Sequence, residues 1–137
     1  MATHGYSKTP LARKLGIKQG YEIVLVNEPS HYDALFSDFP KEVTKVENPK
    51  KESIDFIHLF CTTKKELETL PTKFKPLLKK TGMLWVSWPK GSSKIKTEIN
   101  REAIREYILS IGLVDIKVAA IDADWSGLKF VYRLVDR

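Results

Sequence analysis

Met83-Leu84-Trp85-Val86-Ser87-Trp88-Pro89-Lys90-Gly91-Ser92-Ser93-Lys94 is the stretch that decides the fold. An apolar, aromatic-rich run reads as a buried strand, and it passes directly into a basic loop that holds a glycine and two serines. In an open α/β sheet, ligands sit beyond the carboxyl ends of the strands. A polar loop at that place marks the functional edge of the molecule.

Working outward, two further runs have the same continuous apolar character: Tyr21 to Val26 and Ile54 to Cys61. Runs of this kind are buried on both faces, which is the habit of parallel strands. Thr63-Lys64-Lys65-Glu66 follows the second run as a capping box. The helix it opens carries Leu67, Leu70, Phe74, Leu77 and Leu78 at helical spacing, with a kink or restart expected near Pro71 and closure at Lys79 to Gly82. Near the start, Thr9 reads as the N-cap of a short helix with Pro10 at its first position and Gly16 at its end. Tyr32 to Phe36 reads as a brief helix and Val43 to Val46 as a weak strand. Arg101 to Ile111 is an amphipathic helix that Gly112 ends. Val114 to Ile121 and Leu128 to Leu134 read as two strands, antiparallel because only Asp122 to Gly127 join them. The expected fold is an α/β three-layer Rossmann-like sandwich, mostly parallel, with a C-terminal antiparallel hairpin. With no repeat and no linker, residues 1–137 read as one domain.

Composition narrows the classes. No apolar run is long enough to span a bilayer, and Met1 to Tyr6 hold no signal-peptide core. A single cysteine, Cys61, and three scattered histidines make neither a disulfide framework nor a zinc pattern, so a cytoplasmic setting and no metal are expected. The net charge is +6 but uneven. Residues 1–20 carry Lys8, Arg13, Lys14 and Lys18 with no acid, and residues 71–97 carry seven lysines with no acid. Arg13-Lys14 and Lys79-Lys80 read as helix ends on the edge away from Lys90 and Lys94, so the lysines do not serve one site. That division, and the lack of a nucleic-acid motif, disfavour a nucleic-acid partner.

The order of elements resembles the class I methyltransferase fold from Leu15 to Arg137, with one strand-helix unit missing before Ile54. The segments Asp55 to Phe60, Gly82 to Lys90 and Asp124 to Phe130 resemble more closely a family of short bacterial proteins with no assigned biochemistry. The methyltransferase resemblance implies an acidic residue and a Gly-x-Gly turn after the first strand, to cradle S-adenosylmethionine. Here that strand ends Val26-Asn27-Glu28-Pro29-Ser30-His31, without glycine. Glu47 stands where the fold keeps a ribose-binding carboxylate, but a solvated loop acid accounts for it better.

Parallel strands bring Asn27, Glu28, Thr62 and Lys90 to one edge, and the hairpin turn to the same edge. The candidate ligand-binding residues are therefore Asn27, Glu28, His31, Thr62, Lys90, Ser92, Ser93, Lys94, Asp124, Trp125 and Ser126. Gly91-Ser92-Ser93 offers amides and hydroxyls to an anion, with Lys90 and Lys94 as point charges. Trp125 in a turn would stack on a base or fold back as a lid. His31 near Glu28 is the acid–base candidate, whereas His58 and Cys61 read as core residues. Trp85 and Trp88 alternate across their strand and read as core too. These residues favour a non-catalytic domain that binds a small anionic or nucleotide-like ligand, its cofactor undefined. An atypical S-adenosylmethionine-dependent methyltransferase and a protein-interaction module are the alternatives. An exposed edge strand would permit a homodimer.

Overall fold

The three continuous apolar runs become adjacent strands at the middle of a six-stranded sheet. A computed structural model describes residues 9–137, so Lys8 and the reading of Met1 to Tyr6 lie outside the described residues. In chain order the strands are β1 (Glu22–Val26), β2 (Thr44–Lys45), β3 (Ile54–Phe60), β4 (Leu78–Pro89), β5 (Leu113–Ala120) and β6 (Trp125–Tyr132). They lie side by side as β2-β1-β3-β4-β6-β5. β2, β1, β3 and β4 are parallel, and β6 runs antiparallel to both β4 and β5. This is the mostly parallel Rossmann-like sheet with a terminal antiparallel pair that the sequence predicts.

Side-chain alternation splits the core into two layers, one on each face of the sheet. On one face, Ile57, Leu59, Leu84, Val86 and Trp88 pack under α2 (Lys64–Phe74) and α3 (Arg101–Ser110). On the other, Phe56, Phe60, Trp85 and Trp125 pack under α1 (Leu11–Leu15) and the 3-10 turn Tyr32–Leu35. Trp85 also donates its indole N–H to the Leu15 carbonyl at 2.8 Å, which anchors the end of α1 to the central strand.

Several local expectations are corrected by non-local partners. Thr9 is not the N-cap of α1. The helix starts one residue later, with Pro10 in the cap position, and the carboxylate of Asp38 receives the Ala12 and Arg13 amides at 3.1 Å each. Gly16 does end it, at φ +91°, where a Cβ would also stand 2.9 Å from the Met83 sulfur. The capping box at Thr63 forms in both directions. The helix it opens does not break at Pro71, which lies buried in its last turns and removes only one hydrogen-bond donor. It ends at Phe74, and Pro76 sits inside a single 3-10 turn, Lys75–Leu77.

Leu78 to Gly82 are therefore strand, not the end of a helix. Leu78 pairs with Ile54, the register then shifts, and Met83 pairs with Phe56. Gly82 makes that irregularity possible, because a Cβ there would lie 2.9 Å from the Ile54 carbonyl and 3.0 Å from that of Asp55. Lys79 is held by the Asp55 carboxylate at 2.9 Å. The terminal hairpin is also tighter than expected. β6 starts at Trp125, so only residues 121–124 form the turn.

Candidate functional site

The parallel register sets the carboxyl edge. Val26 is opposite Leu59, Phe60 is opposite Ser87, and Pro89 is opposite Trp125. Asn27-Glu28, Thr62-Thr63, Lys90 and the turn at Asp122 to Asp124 therefore share one edge, as the sequence predicts.

The first part of that edge is a carboxylate hub. Glu66 Oε1 accepts the Thr62 amide at 2.8 Å, the Thr63 amide at 3.2 Å and the Thr62 hydroxyl at 3.2 Å. Its Oε2 accepts the side-chain amide of Asn27 at 3.2 Å. One glutamate thus closes a helix terminus and ties the end of β1 to the end of β3. Asn27 makes the turn at φ +59°, in the left-handed region that asparagine tolerates better than most residues. Thr62 is occupied on its other side too, its carbonyl receiving the Glu98 amide at 2.8 Å and the Thr97 hydroxyl at 3.1 Å.

The second part is the hairpin turn. Asp122 Oδ1 accepts the Asp124 and Trp125 amides, each at 2.8 Å, which fixes its carboxylate. Asp122 Oδ2 lies 3.0 Å from His31 Nε2, with side chains 15% and 50% exposed respectively. A fixed carboxylate that orients a half-exposed imidazole is the arrangement of a positioned acid–base group. With Nε2 engaged by Asp122, Nδ1 is the other ring nitrogen of His31. Asp122 is the partner that the sequence reading missed. Its signal was the Asp-x-Asp spacing ahead of a strand, where an Asx turn forms.

The Lys90 to Lys94 loop is less open than its composition suggests. Asp124 accepts the Lys90 amide on its carbonyl at 2.8 Å and the Ser93 hydroxyl on its carboxylate at 2.9 Å. The hydroxyl expected to hold an anion therefore holds Asp124. Ser92 and Lys94 are exposed, and Lys90 is half-buried. Trp125 is neither in a turn nor on the surface. It is 8% exposed, opposite Pro89, with its ring 5.0 Å edge-on to Phe60. Ser126 is likewise in β6, opposite Trp88.

A groove of about 570 Å³ opens beside β1 and β2. Val24, Val26, Val46 and Phe74 give it an apolar wall, and Asn27, Glu28 and Glu47 stand at the carboxyl ends of the two strands. Its volume is in the usual range for small-molecule sites. Glu47 reads in the sequence as a solvated loop acid; the groove gives it a place on a concave surface.

Behind the edge lies a buried polar chain. His58, wholly buried, has Nδ1 2.9 Å from the Tyr32 hydroxyl and Nε2 2.7 Å from the Ser87 hydroxyl. Burial lowers the His58 pKa to about 3, so the ring is neutral. Burial, reinforced by the charges of Glu28 and Asp33, raises the Tyr32 phenol well above its ordinary range. Cys61 is buried as well, its thiol pushed up to about 12 by burial and by the Glu66 charge. A thiol so protonated is a poor nucleophile. His58 and Cys61 are thus core residues, as the sequence suggests.

No protein-family model and no curated protein matches the chain. Solved structures do resemble it. A putative type 11 methyltransferase from Sulfolobus solfataricus superposes with a TM-score of 0.64 at 13% identity, over 90% of this chain and 89% of that one. An S-adenosylmethionine-dependent methyltransferase from Aquifex aeolicus gives 0.57 at 14% identity, over 88% and 86%. The DhpI complex with S-adenosylhomocysteine gives 0.60 at 8% identity, over 91% and 83%. At these identities the likeness establishes a methyltransferase-like fold.

Proposed function

We propose that this chain binds S-adenosylmethionine at the carboxyl edge of its sheet and transfers a methyl group from it. The observation that carries this reading is the groove at the ends of β1 and β2, with Glu28 and Glu47 on its rim. Two carboxylates suit the two hydroxyls of a ribose, as strong acceptors for hydroxyl donors. The apolar wall suits an adenine face. The likeness to methyltransferases over most of both chains supports the same reading.

The residues present fit the ligand with one substitution of means. Where the fold resemblance implies glycine, Asn27 supplies the left-handed turn, at φ +59°. Bound S-adenosylmethionine supplies an electrophilic methyl group on a sulfonium sulfur. The chain's own part is to hold the nucleoside, order the acceptor and take its proton. His31, fixed by Asp122, is the proton acceptor of this reading, with Nδ1 as the receiving atom. The acceptor's nucleophilic atom would gain the methyl group and give up its proton to His31, whose imidazolium would then carry the positive charge.

The glycine-free turn Asn27-Glu28-Pro29 favours a second reading, in which the edge holds a nucleotide-like ligand without reaction. Calorimetry separates the two. S-adenosylmethionine and S-adenosylhomocysteine should bind at micromolar strength, and Glu47→Gln should weaken both while leaving the fold intact. Binding of ATP or inorganic phosphate with silence toward both adenosyl ligands would replace methyl transfer with the second reading. Silence toward every ligand would remove the site.

A further inference from the structure

Away from the groove, at the β5 end of the sheet, the register places two lysines directly opposite each other. Lys117 of β5 and Lys129 of β6 are cross-strand partners. Like charges in that relation are destabilising. Two more cations converge on the same place from the first segment of the chain. The Lys117 ammonium donates to the Lys14 carbonyl at 2.8 Å, and the Lys14 ammonium reaches the Ala120 carbonyl at 3.2 Å. The Lys129 ammonium lies 3.3 Å from where a Cβ on Gly16 would stand. Lys18, exposed in the turn after α1, is near enough for its charge to act on Lys129.

We propose that this face, built from the end of α1, β5 and β6, binds the phosphodiester backbone of a nucleic acid through Lys14, Lys18, Lys117 and Lys129.

The electrostatics support it. Burial lowers the Lys14 pKa first, then the charges of Lys117 and Lys90. Burial lowers that of Lys129 first, then the charges of Lys117 and Lys18. After burial, the charges that lower both groups are those of other lysines, so these cations repel one another in the free protein.

Three plainer accounts fall short. Helix capping accounts for one ammonium on one carbonyl, but α1 has five residues and little dipole for the others. Protection of the β5 edge against pairing needs Lys117 alone. A second copy docking on this face would bring the same four lysines against themselves. A regular polyanion answers the arrangement, because the cations come from three separate segments and spread across two strands, the end of α1 and the turn after it. Sequence spacing divided the lysines between two edges and so disfavoured this partner. The register gathers a different set, on a face.

The inference does not rest on the adenosyl reading, since none of these lysines lines the groove and its test needs no methyl donor. The test is fluorescence anisotropy with a short labelled single strand, as RNA and as DNA of the same sequence, across a salt series. With four phosphates neutralised, the affinity of log K against log salt should fall with a slope of about −3. Lys117→Gln with Lys129→Gln should weaken binding at least about tenfold at low salt and make that slope shallower by about 1.4. Lys117→Arg with Lys129→Arg should retain binding, which guards against a misfolded variant. Lys50→Gln with Lys51→Gln, an equal loss of charge on an exposed loop elsewhere, should change nothing. Preference for the RNA strand would support the inference and assign a role to the 2′-hydroxyl. Absence of binding, equal loss in the Lys50 and Lys51 variant, or equally effective competition by polyglutamate would each overturn it.

Discussion

Acid should weaken this protein through one buried residue. His58 is wholly buried between the Tyr32 and Ser87 hydroxyls, and its pKa in the fold is about 3 against an ordinary value of 6.5. Since the folded value is the lower one, the unfolded chain binds the extra proton first. His58 therefore contributes its full stability above pH 6.5 and loses it progressively as the pH falls toward about 3. With 1.36 kcal/mol for each unit of difference, the loss is about 2 kcal/mol at pH 5 and about 3 kcal/mol at pH 4. The structural reason is that a protonated ring would carry its charge in a wholly buried place, cut off from water. The assay is urea unfolding of the wild type and of His58→Gln at pH 7, 6 and 5. Glutamine offers Tyr32 and Ser87 a donor and an acceptor without titrating. Subtracting the variant removes the surface groups that titrate in both proteins. The wild type should lose about 2 kcal/mol more than the variant between pH 7 and pH 5. Equal losses in the two proteins would refute the claim that the fold holds this ring neutral.

Three other perturbations have definite outcomes. Gly82→Ala should destabilise by about 2–4 kcal/mol in urea, because the new methyl meets two backbone carbonyls that cannot move without undoing the β3–β4 shift. Glu66→Ala removes the capping carboxylate and the Asn27 tie together. A loss of about 2 kcal/mol is expected from the lost cap and hydrogen bonds, with chemical-shift changes at Asn27 as well as at Thr62 and Thr63. His31→Gln should leave the unfolding midpoint within about 0.5 kcal/mol of the wild type, as its side chain is half exposed. It should abolish methyl transfer while adenosyl binding persists, and retained turnover would remove His31 from the reaction.

The central strands were legible because their signal is local: continuous apolar runs bounded by caps and turns. The misreadings share a different cause. Leu77 and Leu78 continue the helical spacing of Phe74, and nothing in that spacing reveals that Leu78 pairs with Ile54 across the sheet. Asp122 to Gly127 is rich in turn formers. Asp122 satisfies two amides so economically, however, that Trp125 is already in register with Pro89. The cap of α1 comes from Asp38, far along the chain, and no window around Thr9 contains it. The site divides in the same way. Parallel topology predicted which residues share the edge, whereas the groove beside Glu47 and the cross-strand lysine pair depend on curvature and register. Ser93 looked available to a ligand because its sequence neighbours are glycine and serine, and its partner is a distant aspartate.

The position of β6 between β4 and β5 has a consequence for how the chain is made. Synthesis delivers β5 before β6, yet among the described strands β5 pairs with β6 alone. Until residues 125–132 emerge, the outer edge of β4, the longest of the described strands, stays open beside the parallel half. An open apolar edge of that length is a template for pairing with another nascent chain. β6 thus acts as the closing stave of the sheet, and the interval before its arrival leaves that edge exposed to aggregation.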